Sequence, residues 1–309
     1  MRKRKRTPEP RPRAIRTPDL RPADIRPAEI RQVDTHTHVV AADEAAYPLD
    51  PPQGMTAPWY REDPCSVERL LALMGEAGVD RAVLVQGISA YGFDNRYVID
   101  SARRFPKHCS SVVYLDVAGA EPPIDGPDDV AGNLRRLVRD EGVRGLRWVA
   151  FGETTLTEPR IVWDEAAALG IPVVVTVLAE KLEELAAMIP TLPGTIPLAL
   201  DHCGFAEFSS GIPDVLRALA EFPTLHLKVS TIALDHLAAH GDVRDGLAEL
   251  AACFGADRLM WGSDYSQTHD RPYPDLAEYA RQAASKLDDA ARAAFLAGTA
   301  LSLWPELAV

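Results

Sequence analysis

Residues 33–40 read VDTHTHVV, with His36 and His38 two positions apart. The stretch opens what reads as the first strand, Val33 to Val40. Side chains of a strand alternate between its faces, so the H-x-H spacing aims both imidazoles the same way, as a pair of nitrogen ligands requires. The plainer alternative is a polar strand end whose histidines only make hydrogen bonds.

Downstream the chain alternates between helical and strand patterns. Ser66 can cap a helix running to Ala77, with Val67, Leu70, Leu71 and Met74 on its apolar stripe, and Gly78 ends it. Asp80 to Gln86 (DRAVLVQ) then reads as a buried strand. Repetition of the unit places further strands at Ser111 to Asp116, Val143 to Val149, Pro172 to Val177, Ile196 to His202, Leu225 to Ser230 and Arg258 to Asp264. Eight apolar strands separated by helices predict an α/β fold of the (β/α)8 TIM barrel type, carried by residues 32–309 as one domain. A doubly wound open sheet is disfavoured, because no Gly-rich loop follows the first strand.

Upstream, residues 1–31 carry prolines at 8, 10, 12, 18, 22 and 27 among arginines, a composition expected to be a disordered leader. The leader holds 11 Lys and Arg against 4 Asp and Glu, while the whole 309-residue chain has a formal charge of -12. That acidity argues against nucleic acid as a main partner. With 47% hydrophobic and 25% charged residues the composition is that of a globular protein. No apolar window approaches the length of a membrane span. Cys65, Cys109, Cys203 and Cys253 form no C-x-x-C pair, which fits buried thiols in a reducing compartment and a cytoplasmic location.

In a barrel, the groups at the C-terminal ends of the strands converge on one pocket. His36 and His38 end the first strand, His202 the sixth and Asp264 the eighth, and closure makes the first and eighth neighbours. An aspartate there can ligate a metal or take a proton from water. His36, His38 and Asp264, with His202 as a candidate fourth, are thus expected ligands for a divalent metal with an open position for water.

DTHTH, LDHCG (200–204 in the sixth strand region) and WGSD (261–264) together resemble the amidohydrolase superfamily, in the group that holds pyrone-dicarboxylate and sugar lactonases and aminocarboxymuconate-semialdehyde-type decarboxylases. The resemblance spans about residues 31–307. It implies His36 and His38 as ligands or carbonyl-polarising groups, Asp264 as ligand and general base, and His202 as the group that orients water or polarises the carbonyl. Two departures stand out. The fourth strand offers Arg144 and Arg147 but no Lys, so a carbamylated lysine bridging two metals is not expected. The fifth reads VVVTV, with Thr176 where metal-dependent decarboxylases would have a histidine, and this shifts the likeness toward lactonases, some of which work without metal. The cofactor is accordingly either one zinc or manganese ion or none.

Arg147 is the expected cation for a carboxylate or developing oxyanion. Gln86, Tyr91, Thr176, His269 and Arg271 are the expected substrate-binding groups around it. The long loop from Asp43 to Cys65 is expected to wall the pocket with Trp59 and Tyr60, or to be completed by a second subunit in a homodimer. The reading is hydrolysis of a small lactone or related cyclic ester or amide, on a substrate carrying a carboxylate or hydroxyls. Metal-dependent decarboxylation of a small aromatic or unsaturated acid is one alternative, and an inactive barrel that only binds is another.

Overall fold

The computed structural model describes residues 31–52, 57–117, 129–152, 154–156 and 159–309. The basic leader, apart from Arg31, lies outside the described residues. Eight strands form one sheet in chain order: β1 (Val33–Thr37), β2 (Arg81–Val85), β3 (Cys109–Tyr114), β4 (Leu146–Ala150), β5 (Val173–Val177), β6 (Leu198–Leu200), β7 (Leu225–Ser230) and β8 (Leu259–Gly262). All neighbouring pairs from β1–β2 to β7–β8 are parallel. The ring closes just past the strand ends, where Thr37 bridges Tyr265 and the His38 and Asp264 amides donate to the Tyr265 and His36 carbonyls at 2.6 and 2.7 Å. This is the expected (β/α)8 barrel, nearly closed.

Helices cover the sheet as the sequence pattern predicts. Ser66 accepts from the Arg69 amide at the start of the helix Val67–Ala77, and Gly78, at φ 70°, ends it in the left-handed conformation that glycine adopts without steric cost. Two helices, Thr231–His240 and Val243–Phe254, lie between β7 and β8.

The strands are apolar on both faces, and the two faces feed different cores. Ala82, Leu84, Val173, Val175 and Leu227 pack outward in the core shared with the helices. Val83, Val112, Val174, Ala199 and Met260 form a second cluster with Ala300, Leu303 and Trp304 of the C-terminal segment. That second cluster is the barrel interior. Arg147 pairs with Val174, and Lys228 with Met260, so both share its inward register. Gly262 lets β8 approach β1 closely: a Cβ there would lie 2.7 Å from that of His36.

Candidate active site

The expected strand-end groups meet at the open end of this interior. β1 carries an irregular register between Asp34 and Thr37. It presents both histidines to one carboxylate oxygen: Asp264 Oδ1 lies 3.5 Å from His36 Nε2 and 3.4 Å from His38 Nε2. The two rings meet edge to face with centroids 5.0 Å apart. Asp34, the first residue of the motif, is buried and accepts from the His36 and Ser263 amides and the Tyr273 hydroxyl. It thereby ties β1 to the chain beyond β8.

Strand six departs from expectation, and the departure shapes the site. It ends at Leu200, and His202, Cys203 and Gly204 take left-handed φ values of 54°, 53° and 64°. The tight turn brings both Asp201 and His202 into the cluster, where strand alternation would have sent them to opposite faces. The His202 Nδ1 lies 2.7 Å from Ser230 Oγ, and its ring packs 4.8 Å from that of His36. Cys203 is fully buried, its thiol pushed up to about 12 by burial, which suits the small packing residue expected of it.

Asp201 and Lys228 are buried charged groups of this cluster that the sequence reading did not count among the site residues. Asp201 is fully buried. It accepts from Thr176 Oγ1 at 2.6 Å, lies 3.0 Å from His36 Nδ1 and 3.2 Å from Lys228 Nζ, with Arg147 Nη2 at 3.7 Å. Burial pushes its carboxyl upward, but His36, Lys228 and Arg147 outweigh burial and hold it well below the ordinary carboxylate range. Lys228 is fully buried and lowered by burial against the pull of Asp201, with its Nζ also over the Trp304 ring. The signal for Asp201 was the residue beside His202 in LDHCG; the signal for Lys228 was a lysine inside an otherwise apolar strand.

These contacts settle the proton inventory of the imidazoles. An ionised Asp201 and the Val85 carbonyl can only accept, so His36 and His38 each carry their proton on Nδ1. The Nε2 atoms of both rings face Asp264 Oδ1. Burial keeps His36 well below and His202 below the usual histidine pKa, Asp201 opposing in the first case and Asp264 in the second. Burial also pushes Asp264 upward, yet His38, His202 and His36 around it hold its carboxyl far below its ordinary value.

The donor set fits a metal. His36, His202 and Asp264 each bring one ligand atom within 4.8 Å of the others. His36 Nε2 and Asp264 Oδ1 are buried and have no hydrogen-bond partner among the described residues, so two acceptors face each other with nothing to satisfy them. A cation would satisfy both. The Asp201 carboxylate on the far nitrogen of His36 matches the usual support of a metal-bound imidazole. His38, whose Nε2 addresses the same Asp264 oxygen, stands beside the triad.

A cavity of about 260 Å³ reaches His38, His202, Arg147 and Thr176. Arg147 donates from Nε to Thr176 Oγ1 at 3.2 Å and from Nη1 to the Gln86 carbonyl at 3.0 Å. Trp59, from the long loop after β1, packs its ring 5.4 Å from that of His38 and donates to Ser89 Oγ. Tyr60 is buried beside it. The other expected substrate-binding groups are engaged by the protein itself. The Gln86 amide donates to the Gly92 and Asp94 carbonyls, and the Tyr91 hydroxyl accepts from the Ala41 amide. His269 faces Glu62 at 3.2 Å, and Arg271 is clamped by Asp235 and Asp270 at 2.6 and 2.8 Å.

A parallel eight-stranded barrel with a His-His-Asp candidate metal triad at its open end is the architecture of a barrel hydrolase or lyase. The sequence model of the amidohydrolase family matches residues 33–305, and the chain belongs to that family, in its amidohydrolase-2 group. An L-fucono-1,5-lactonase of Burkholderia ambifaria is 27% identical over 253 residues, which cover 76% of this chain and 80% of the lactonase. Among solved structures, a putative 2-pyrone-4,6-dicarboxylic acid hydrolase of Pseudomonas putida superposes with a TM-score of 0.71 at 23% identity, covering 90% of this chain and 98% of its own. A zinc-bound amidohydrolase of Burkholderia multivorans gives 0.67 at 21% identity, covering 89% and 99%. No helix among the described residues is long and apolar enough to cross a membrane.

Proposed function

We propose that the protein hydrolyses a small lactone, with Asp264 as general base. The observation that carries the reading is the buried, unsatisfied Asp264 Oδ1 between His36 and His38, with Arg147 lining the cavity beside them. Oδ2 of this carboxylate accepts from the Thr268 hydroxyl at 2.9 Å, so the unpartnered Oδ1 is the oxygen placed to take a proton from water. The kinship with a lactonase over 76% of the chain supports the reaction class.

In this mechanism His36, His202 and Asp264 would hold one divalent ion, zinc or manganese, with His38 beside the triad. Such an ion would supply Lewis acidity and lower the pKa of water. Asp201 fixes the His36 tautomer, and Ser230 orients His202 in the same way. Asp264 accepts the proton of the attacking water. Arg147, its Nη2 edge free at the cavity wall, holds an anionic group of the substrate and so places the carbonyl near Asp264. The proton then passes to the alkoxide that leaves when the ring C–O bond breaks, giving a hydroxy acid.

The test is acid release from a panel of lactones by the purified protein, with and without added zinc or manganese. Turnover that falls by about 10²-fold or more in Asp264→Asn supports the assignment. Carboxylated substrates losing CO₂ while no lactone releases acid would replace it with decarboxylation.

A further inference from the structure

The cavity itself narrows the substrate. We propose that it is a monoanionic lactone with an apolar body, its one carboxylate held by Arg147. This rests on the lactone-hydrolase reading and departs from the polyhydroxylated and dicarboxylated substrates in the names of the similar proteins.

The charge argument comes first. Arg147 uses Nε and Nη1 in hydrogen bonds within the protein, while Nη2 stands 3.7 Å from Asp201, too far for one. The Nη2 edge therefore has donors to offer, and Arg147 lines the cavity. A guanidinium edge suits one carboxylate in a forked contact. No second Arg and no Lys lines the cavity among the described residues. Lys228 is buried against Asp201, and Arg271 is held by Asp235 and Asp270. A dicarboxylate would leave one of its charges without a fixed cation.

Polarity gives the second argument. Ile88, Val149, Phe151 and Phe205 line the cavity, and Phe151 keeps 39% of its surface exposed, one of few large apolar side chains that do. A sugar lactone needs a partner for each hydroxyl, since every unpaired polar group that is desolvated costs about 1–3 kcal/mol. Thr176 already donates to Asp201 and accepts from Arg147. Of the remaining described lining, His38 faces Asp264 and the Val85 carbonyl and His202 is bonded to Ser230, which leaves Ser89 and Gln267 as the other polar side chains, and Ser89 already accepts from Trp59. An aryl or alkyl substituent, by contrast, would gain by covering Phe151 and Phe205. The volume of about 260 Å³ suits a lactone ring with a single such substituent.

Hydrolysis adds one water: its oxygen bonds to the carbonyl carbon, the ring C–O bond breaks, the alkoxide takes a proton, and one carboxylic acid is released. The experiment follows that acid with a pH indicator for three substrates: a phenyl-substituted δ-lactone bearing one carboxylate, an aldono-1,5-lactone and a pyrone dicarboxylate. The expected result is a kcat/KM for the phenyl monocarboxylate about tenfold or more above the other two. Replacing its carboxylate by a carboxamide should cost about 10²-fold in the natural protein and little in Arg147→Met, and Phe151→Ser should raise KM about tenfold. Preference for the aldonolactone or the dicarboxylate would overturn the substrate proposal and leave lactone hydrolysis standing. Absence of acid from all three would overturn both.

Discussion

Replacing Asp201 by Asn tests whether the buried carboxylate serves the fold, the candidate metal ligand His36, or both. The carboxylate is fully buried with Lys228 at 3.2 Å and Arg147 at 3.7 Å. At an effective dielectric constant of about 20 these attractions are each ~4–5 kcal/mol before desolvation, and most of that offsets the cost of burying the charges. Removing one partner leaves Lys228 without its counter-ion, so Asp201→Asn should lower stability by about 3–5 kcal/mol. The same change weakens the acceptor on His36 Nδ1, and loss of such support typically costs about 10–100-fold in metal affinity. The two effects separate in the double variant Asp201→Asn, Lys228→Met. Removing both charges should restore most of the stability, because a buried pair replaced by groups of similar volume is often neutral. It should not restore metal affinity, since the histidine still lacks its carboxylate. Stability is read from urea unfolding, and affinity from zinc competition against a chromophoric chelator. If the double variant regained full zinc affinity, or the single variant bound zinc within about twofold of the natural protein, Asp201 would have no role in orienting His36.

Further outcomes follow from the same geometry. Arg147→Met should lower kcat/KM by about 10²-fold in the acid-release assay and lower stability by about 1–3 kcal/mol, because Thr176, the Gln86 carbonyl and Asp201 each lose a partner; an activity loss below threefold would remove it from the reaction. Gly262→Ala puts a Cβ 2.7 Å from that of His36 and 3.0 Å from its amide nitrogen, so it should cost about 1–3 kcal/mol in urea unfolding and weaken zinc binding together; zinc affinity unchanged beside lost stability would show that His36 does not move. Asp34 is pushed up to about 6, burial outweighing its hydrogen bonds from Ser263, His36 and Tyr273. Its folded pKa exceeds the unfolded one, so it contributes stability that is fully present below the unfolded value of 3.8 and lost as pH rises through about 6. Asp34→Asn lacks that contribution, and between about pH 4.5 and 5.5 its stability should fall with acid more steeply than that of the natural protein by about 1.4 kcal/mol per pH unit; parallel slopes would contradict the raised pKa.

How much of this was legible in the sequence depends on which periodicity governed each residue. The barrel was legible because eight apolar runs recur with helical patterns between them, and a strand buried on both faces needs no finer reading. His36, His38 and Asp264 were legible for a related reason: a two-residue spacing at one strand end and a carboxylate at the end of its neighbour in the closed ring meet through topology alone. Arg147 was singled out as a cation on the fourth strand, and Thr176 through the family resemblance, which puts a histidine there in metal-dependent decarboxylases. The peripheral groups did not. Gln86, Tyr91, His269 and Arg271 stand near strand ends in the chain, but each has a protein partner in space, and no local pattern encodes Asp235 opposite Arg271.

Asp201 was hidden for a different physical reason. Extending β6 to His202 puts Leu200 and His202 on one face and Asp201 on the other, so a strand reading that includes the histidine must turn the aspartate outward. The chain instead leaves the strand after Leu200 and takes four successive residues at positive φ, His202 to Phe205, three of them with side chains that disfavour that conformation. Gly204, the third, has no room for a Cβ, which would lie 2.4 Å from Leu182, so the turn is held by packing as well as by backbone freedom. The consequence reaches β7. In LHLKVS the residues His226, Lys228 and Ser230 share one face, but with both faces buried the segment alone does not say which is inner. The two inward groups just past β6 decide it, because His202 needs Ser230 and Asp201 needs Lys228, two residues apart on the neighbouring strand. The strained turn thus supplies two acidic and basic partners at the spacing that one inward face of β7 can meet, and the cost of the left-handed backbone is offset where the candidate metal-binding histidines are oriented.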